Sequence, residues 1–271
     1  MYIFVMFLSN MKMRKYAIVT QIFFFTLLFF FSCKNKQGKI KDFESNRMKI
    51  RQEIIESIAL PLPVLSKEEH EKLTPDKVLE QLKAGNQKFF TEDSLIIRYN
   101  TAEARSKSLQ QYPEAVILTC SDLRMPVEDI FHKRFGSLST VKNSGNVISD
   151  DVLGSLEHEC QISGAKLILV LGHENCQTIK SAINNLKSGN ITDQLSHIQP
   201  AISIAEEGFV GDRSSWDQAY IEAVCYNNVE QSIREIREKS ALLEKMETAG
   251  KIKIAGAVYD METGIVVFLQ E

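Results

Sequence analysis

Residues 166–176 read KLILVLGHENC. Five branched apolar residues in a row, 167–171, make a strand buried on both faces, because a half-exposed strand would alternate apolar with polar. The chain then changes character at once, to Gly172, His173, Glu174, Asn175 and Cys176. Residues 114–126, EAVILTCSDLRMP, follow the same pattern: an apolar run over 114–119, then Cys120, Ser121, Asp122, Leu123 and Arg124. A weaker strand is expected at 138–141. Two more, 252–258 and 265–269, form a closing pair joined through Thr263 and Gly264. Helical periodicity fills the intervals. Residues 150–162 place Val152, Leu153, Leu156 and Cys160 on one face, and 175–186 is a second helix. A long helix over 216–245 points Ala219, Ala223, Val229, Ile233 and Ile236 inward. Strands alternating with helices define an α/β fold, a mostly parallel β-sheet flanked by helices. Function in such sheets gathers beyond the C-terminal ends of the strands, where both polar stretches fall.

Those two stretches offer two thiols and one imidazole at the same edge. Two Cys and one His plus an open position is a catalytic zinc set. His173 and Cys176 are three apart near a helix start, so one helical turn lets both reach one ion. The helix N-terminus favours a thiolate at Cys176. Cys120, Asp122 and Arg124 are alternate residues and converge if the segment is extended. Arg124 can then hold Asp122 in a bidentate grip and keep it ionised. Asp122 can orient a water on the metal, or swing in as a fourth ligand. Each piece has a plainer reading. A lone buried Cys is a small hydrophobe, H-x-x-C alone is a weak metal signal, and Cys-x-Asp-x-Arg can be a structural ion pair. A redox disulfide between Cys120 and Cys176 is a further alternative, weakened by the lack of C-x-x-C. Cys160 and Cys225 lie on apolar helix faces and read as core. His70, His132, His158 and His197 read as surface or hydrogen-bonded histidines.

The ordered set resembles the β-class carbonic anhydrase family, whose signatures are C-[SV]-D-S-R after one strand and H-x-x-C after a later one. The likeness runs over nearly all of 74–271. Residues 82–89, LKAGNQKF, resemble the family's L-x-x-G-N-x-R-F helix. Residues 142–146, KNSGN, resemble its R-N-A-G-N segment, and 255–264, AGAVYDMETG, its closing hairpin. The resemblance implies one zinc ion per chain on Cys120, His173 and Cys176. It makes Asp122 and Arg124 the catalytic pair, with Asp122 able to close onto the metal. Lys142 and Gly145 become candidate substrate-binding residues. It implies reversible hydration of carbon dioxide to bicarbonate by zinc-bound hydroxide, and a homodimer or higher homo-oligomer. The chain departs from the family pattern at four places: Leu123 for Ser, Gln177 for Gly, Lys142 for Arg and His158 for Tyr. Such changes around a metal site leave two alternatives open. One is a hydrolase of carbonyl sulfide or carbon disulfide on the same fold. The other is a zinc-binding lipoprotein without turnover.

The N-terminus reads as targeting rather than fold. Lys12, Arg14 and Lys15 precede a Phe-rich apolar run over 16–31, and Ser32 and Cys33 follow. That order is signal-peptide grammar, and the Cys after a small residue resembles a bacterial lipoprotein processing site. Residues 1–33 are therefore expected to be a signal peptide with the lipid on Cys33, with translation starting at Met11 or Met13. Residues 34–73 read as a tether, with alternating prolines at Pro61 and Pro63, and 74–271 as the catalytic domain. The expected place is the bacterial cell envelope, lipid-anchored to membrane and facing periplasm or exterior. The chain of 271 residues is 44% hydrophobic and 25% charged, ordinary globular composition. Its formal net charge is -3. The first 33 residues hold three bases and no acid, so without them 29 bases face 35 acids, a net charge of -6. That balance argues against nucleic acid as a partner.

Overall fold

The computed structural model describes residues 65–91, 112–134 and 136–270, together with Arg47 and Lys49. The expected signal peptide, Cys33 and most of the expected tether lie outside the described residues. The elements are, in order, α1 (Lys67–Glu71), α2 (Pro75–Thr91), β1 (Ala115–Thr119), α3 (Val127–Ile130), β2 (Leu138–Lys142), a 3₁₀ turn (Ser144–Asn146) and α4 (Asp150–Gln161). β3 (Leu167–His173), α5 (Gln177–Ile183), α6 (Ile191–Ser196), α7 (Gln199–Gly208), α8 (Gln218–Lys239), α9 (Ala241–Thr248), β4 (Lys253–Tyr259) and β5 (Val266–Phe268) follow.

The five strands form one sheet in the order β2-β1-β3-β4-β5. The first four are parallel and β5 is antiparallel to β4. Every residue of β1 and β3 is buried, as expected of strands covered on both faces. Alternate residues supply two separate cores. Ile117, Leu167 and Leu169 pack with Val78, Leu79 and Leu82 of α2 and with Phe131. Val116, Leu118, Ile168 and Val170 pack with Leu156 of α4 and with Cys225, Val229 and Ile236 of α8. Each such side chain, fully buried, contributes about 1.5–3 kcal/mol, so the central strands anchor the polar residues that follow them. Cys160 and Cys225 are core residues, as expected.

Four expectations change. The helix starting at Thr74-Pro75 was expected to stop at Gly85-Asn86, yet α2 continues to Thr91. Gly85 is not a stop: a Cβ there would stand 2.0 Å from the Phe131 carbonyl oxygen, so glycine is needed for close approach. Asn86 is buried and ties the helix to the hairpin, donating to the Ile130 and Gly264 carbonyls and accepting from Val266 N–H. Packing also begins before Thr74, inside the stretch read as tether. Leu65 and Leu73 join the core, and His70 is buried with Nε2 3.1 Å from the Pro113 carbonyl oxygen. The long helix over 216–245 is two helices. Asp217 caps α8 through Tyr220 N–H, leaving Trp216 exposed outside it. Ser240 sits in extended backbone and accepts Leu243 N–H to start α9. Finally, α6 and α7 have no counterpart in the sequence reading. Their inward residues Leu195, Ile202 and Ala205 are split between two short helices, with Ile198 at the junction, which dilutes the 3.6-residue period.

Candidate metal centre

The parallel pairing brings the ends of β1 and β3 level, with Thr119 opposite Leu171. The Thr119 hydroxyl donates to the Leu171 carbonyl at 2.8 Å and locks the two strand ends together. Cys120 leaves β1 one residue later, and His173 is the last residue of β3. The chain turns through Glu174 and Asn175, the latter with φ +53°, and delivers Cys176 to the position just before α5. His173 and Cys176 are therefore joined by a strand-to-helix turn, not by the expected turn of helix. The ligand atoms of Cys120, His173 and Cys176 all lie within 4.8 Å of one another and all three residues are buried. The two sulfurs are 3.9 Å apart, and both cysteines are free thiols.

Three observations test whether these groups suit a zinc ion. His173 Nδ1 lies 2.8 Å from the Glu174 carbonyl oxygen, which fixes the proton there. Its Nε2 is buried without any hydrogen-bond partner, a lone pair that desolvation makes costly unless something electrophilic takes it. The two thiols already share charge. A hydrogen bond from Cys176 holds the Cys120 thiol well below its ordinary range. Cys176 is pushed far up, first by that same hydrogen bond to Cys120 and then by burial. The two sulfurs thus share a proton at 3.9 Å, and the pair as a whole favours a thiolate that a cation can take up. Two soft sulfurs and one aimed imidazole nitrogen match the zinc donor set.

Asp122 and Arg124 stand beside this cluster. Residues 123–124 form a turn rather than an extended strand, and the turn folds Arg124 back on Asp122. Arg124 Nε donates to Oδ1 at 3.0 Å and its terminal nitrogen to Oδ2 at 2.8 Å. The Arg124 backbone N–H adds a third bond to Oδ1 at 2.9 Å. These bonds from Arg124 lower the Asp122 pKa to about 2 against a smaller opposing effect of burial. Asp122 is not in the ligand cluster, since Arg124 takes both its oxygens.

The two candidate substrate residues both make contacts within the chain at this edge of the sheet. Lys142 Nζ donates to the Met125 carbonyl at 2.9 Å. Gly145 has φ +73°, a left-handed conformation that favours glycine. Its N–H points at Cys120 Sγ, 3.4 Å away, and its carbonyl accepts from Asn228. Sequence reasoning missed Asn228, Ser232 and Gln194, which hold this turn. The signal was present for the first two: they are polar residues within the otherwise apolar stripe of α8, three and seven residues after Cys225.

Comparison with known proteins agrees with the geometry. A family model described as carbonic anhydrase matches residues 115–266. Carbonic anhydrase 2 of Mycobacterium tuberculosis is 24% identical over 195 residues, 70% of this chain and 90% of the relative. The β-carbonic anhydrase of Coccomyxa, solved with acetazolamide, superposes with a TM-score of 0.55 at 21% identity, over 72% of this chain and 83% of that one. A tetrameric β-carbonic anhydrase from Sordaria macrospora gives 0.55 at 19% identity, over 59% and 82%. A three-layer α/β fold carrying a Cys-His-Cys centre at its C-terminal strand edge defines the β class of zinc lyases. The chain belongs to the carbonic anhydrase family. It is a zinc-dependent enzyme that interconverts carbon dioxide and bicarbonate.

Proposed function

We propose that Cys120, His173 and Cys176 hold the zinc ion and that Asp122 and Arg124 are the catalytic pair. The observation that carries this is the buried, unpartnered Nε2 of His173 facing two cysteine sulfurs. Zinc held there would supply Lewis acidity and bring the pKa of a water to about 7, the chemistry that hydration of carbon dioxide near neutral pH needs. The protein does the rest by position. Asp122, ionised throughout the working range, accepts the hydrogen bond of the reacting water and aims its lone pair. Arg124 fixes the carboxylate with two parallel bonds and blocks its swing onto the metal. The Glu174 carbonyl sets the His173 tautomer. Gly145 N–H donates to Cys120 Sγ and steadies that sulfur.

The same reading places the domain on a lipid at Cys33, in the cell envelope, on a tether that ends before the packed residues begin. Its support is the order of Lys12, Arg14 and Lys15, the apolar run and Ser32-Cys33. It also makes the working unit a homodimer or larger. Leu123, next to the catalytic pair, is 96% exposed on the single chain, an apolar side chain that a second copy would cover. The test measures bound zinc and stopped-flow carbon dioxide hydration on one sample across pH. About one zinc per chain, with hydration rising with pH, is expected. Zinc without hydration would overturn the assigned roles of Asp122 and Arg124. Lipid labelling that survives Cys33→Ala would overturn the anchor.

A further inference from the structure

We infer that one face of α8 is a positioning device for the metal centre, with Asn228 as its principal positioning residue, acting on Cys120 through Gly145. This rests on the zinc reading of Cys120, His173 and Cys176. Three side chains spaced three and four apart along α8 reach three backbone carbonyls of the site. Cys225 Sγ donates to the His173 carbonyl at 3.3 Å, Asn228 Nδ2 to the Gly145 carbonyl at 2.8 Å and Ser232 Oγ to the Asn146 carbonyl at 3.0 Å. Asn228 and Ser232 are 2% and 3% exposed, so neither bond competes with water.

The turn they hold has bonds of its own, Asn146 N–H to the Asn143 carbonyl and Asn143 Nδ2 to the Val147 carbonyl. Gly145 and Asn146 both have positive φ, +73° and +47°, the left-handed region that glycine and asparagine tolerate best. Gln194 Nε2 adds a third side-chain grip, on the Ser144 carbonyl at 2.8 Å. What this clamping aims is the Gly145 N–H, directed at Cys120 Sγ. An N–H held on a metal-binding sulfur sets its orientation and drains part of its charge, which tunes both the affinity for the ion and the acidity of what the ion binds. α8 thus connects the β1 ligand and the β3 ligand through one rigid rod. The rod is itself seated on the sheet by Val229 and Ile236.

The experiment uses the full chain in detergent, stripped of metal and reloaded with zinc or cobalt. Asn228→Ala is expected to weaken zinc by about 10–100-fold and to shift the sulfur-to-cobalt charge-transfer band. Ser232→Ala, one residue further along the turn, is expected to do the same to a smaller extent, and it keeps the test alive if Asn228→Ala does not fold. Ser240→Ala removes a buried helix cap away from the site, and should lower the melting temperature while leaving zinc affinity and the cobalt band unchanged. Unchanged affinity and band in both turn variants, whatever their melting temperatures, would overturn the inference. So would a Ser240→Ala variant that weakens zinc as much as Asn228→Ala, since the loss would then be general softening. Retention of zinc by Cys120→Ser would instead defeat the underlying metal assignment, a separate failure seen in a separate variant.

Discussion

Two buried asparagines show how the same device serves different ends in this molecule. Asn86 on α2 reaches Ile130, Gly264 and Val266, and so ties a helix to the closing hairpin on one face of the sheet. Asn228 on α8, packed on the other face, reaches the Gly145 carbonyl next to the zinc ligands. Both satisfy backbone groups that would otherwise be buried without partners. Asn86 spends three hydrogen bonds on connecting two elements that touch no ligand. Asn228 spends one on a left-handed turn whose N–H meets the Cys120 sulfur. A buried polar side chain therefore reports function only through what its partner does next.

The largest effect that sharpens this contrast is at the ligands. Cys120→Ser and His173→Ala should lose zinc and with it carbon dioxide hydration, read by metal analysis and stopped-flow. Asp122→Asn should keep about one zinc per chain and lower the hydration rate by about 10²–10⁴-fold, the range for removing a positioned proton-handling group. A rate within a few-fold of the parent would remove Asp122 from the mechanism. Asn86→Ala should lower stability by about 3 kcal/mol or more, since it strands two carbonyls and one N–H at about 1–3 kcal/mol for each group left without a partner. Its folded fraction should keep the parent's zinc affinity and rate. A weakened zinc site in that variant would break the comparison.

The smallest effect concerns pH. Asp122 has its pKa lowered from 3.8 to about 2, so the native state binds fewer protons there than the unfolded chain does. The resulting stability is present above about pH 4 and disappears as pH falls through 2. Arg124→Ala releases the carboxylate towards its ordinary value. Melting temperatures of parent and variant should therefore differ near neutrality and converge between pH 4 and pH 2. A constant gap across that window would mean that Arg124 acts through packing, not through the charge of Asp122. The gap should be modest, because Arg124 is about half exposed and solvent screens the pair.

Much of the site was legible along the chain. Cys120, Asp122, Arg124, His173 and Cys176 each follow an apolar run long enough to mark its strand, and parallel strands put such ends at one edge. The illegible parts depend on contacts between distant residues. Gly85 looked like a helix stop, and only the approach of Phe131 shows that it is a close contact. The helix start favoured a thiolate on Cys176, and only the folded chain shows that a second sulfur, Cys120, lies 3.9 Å away to share its proton. The partners of Lys142 and Gly145, Met125 for the lysine and Cys120 and Asn228 for the glycine, were likewise out of view.

By itself, then, the order of residues determined the layered α/β class, the donor set for zinc and the carboxylate–guanidinium pair. Apolar runs, periodicity and residue chemistry are local properties, and they survive without knowledge of neighbours. The tertiary structure alone decided that Cys120 meets Cys176 across two strand ends and that α8 reaches across to brace Gly145. Each of those is set by two or more groups separated by tens of residues and brought within hydrogen-bond range, where burial and proximity rather than residue type fix the energy.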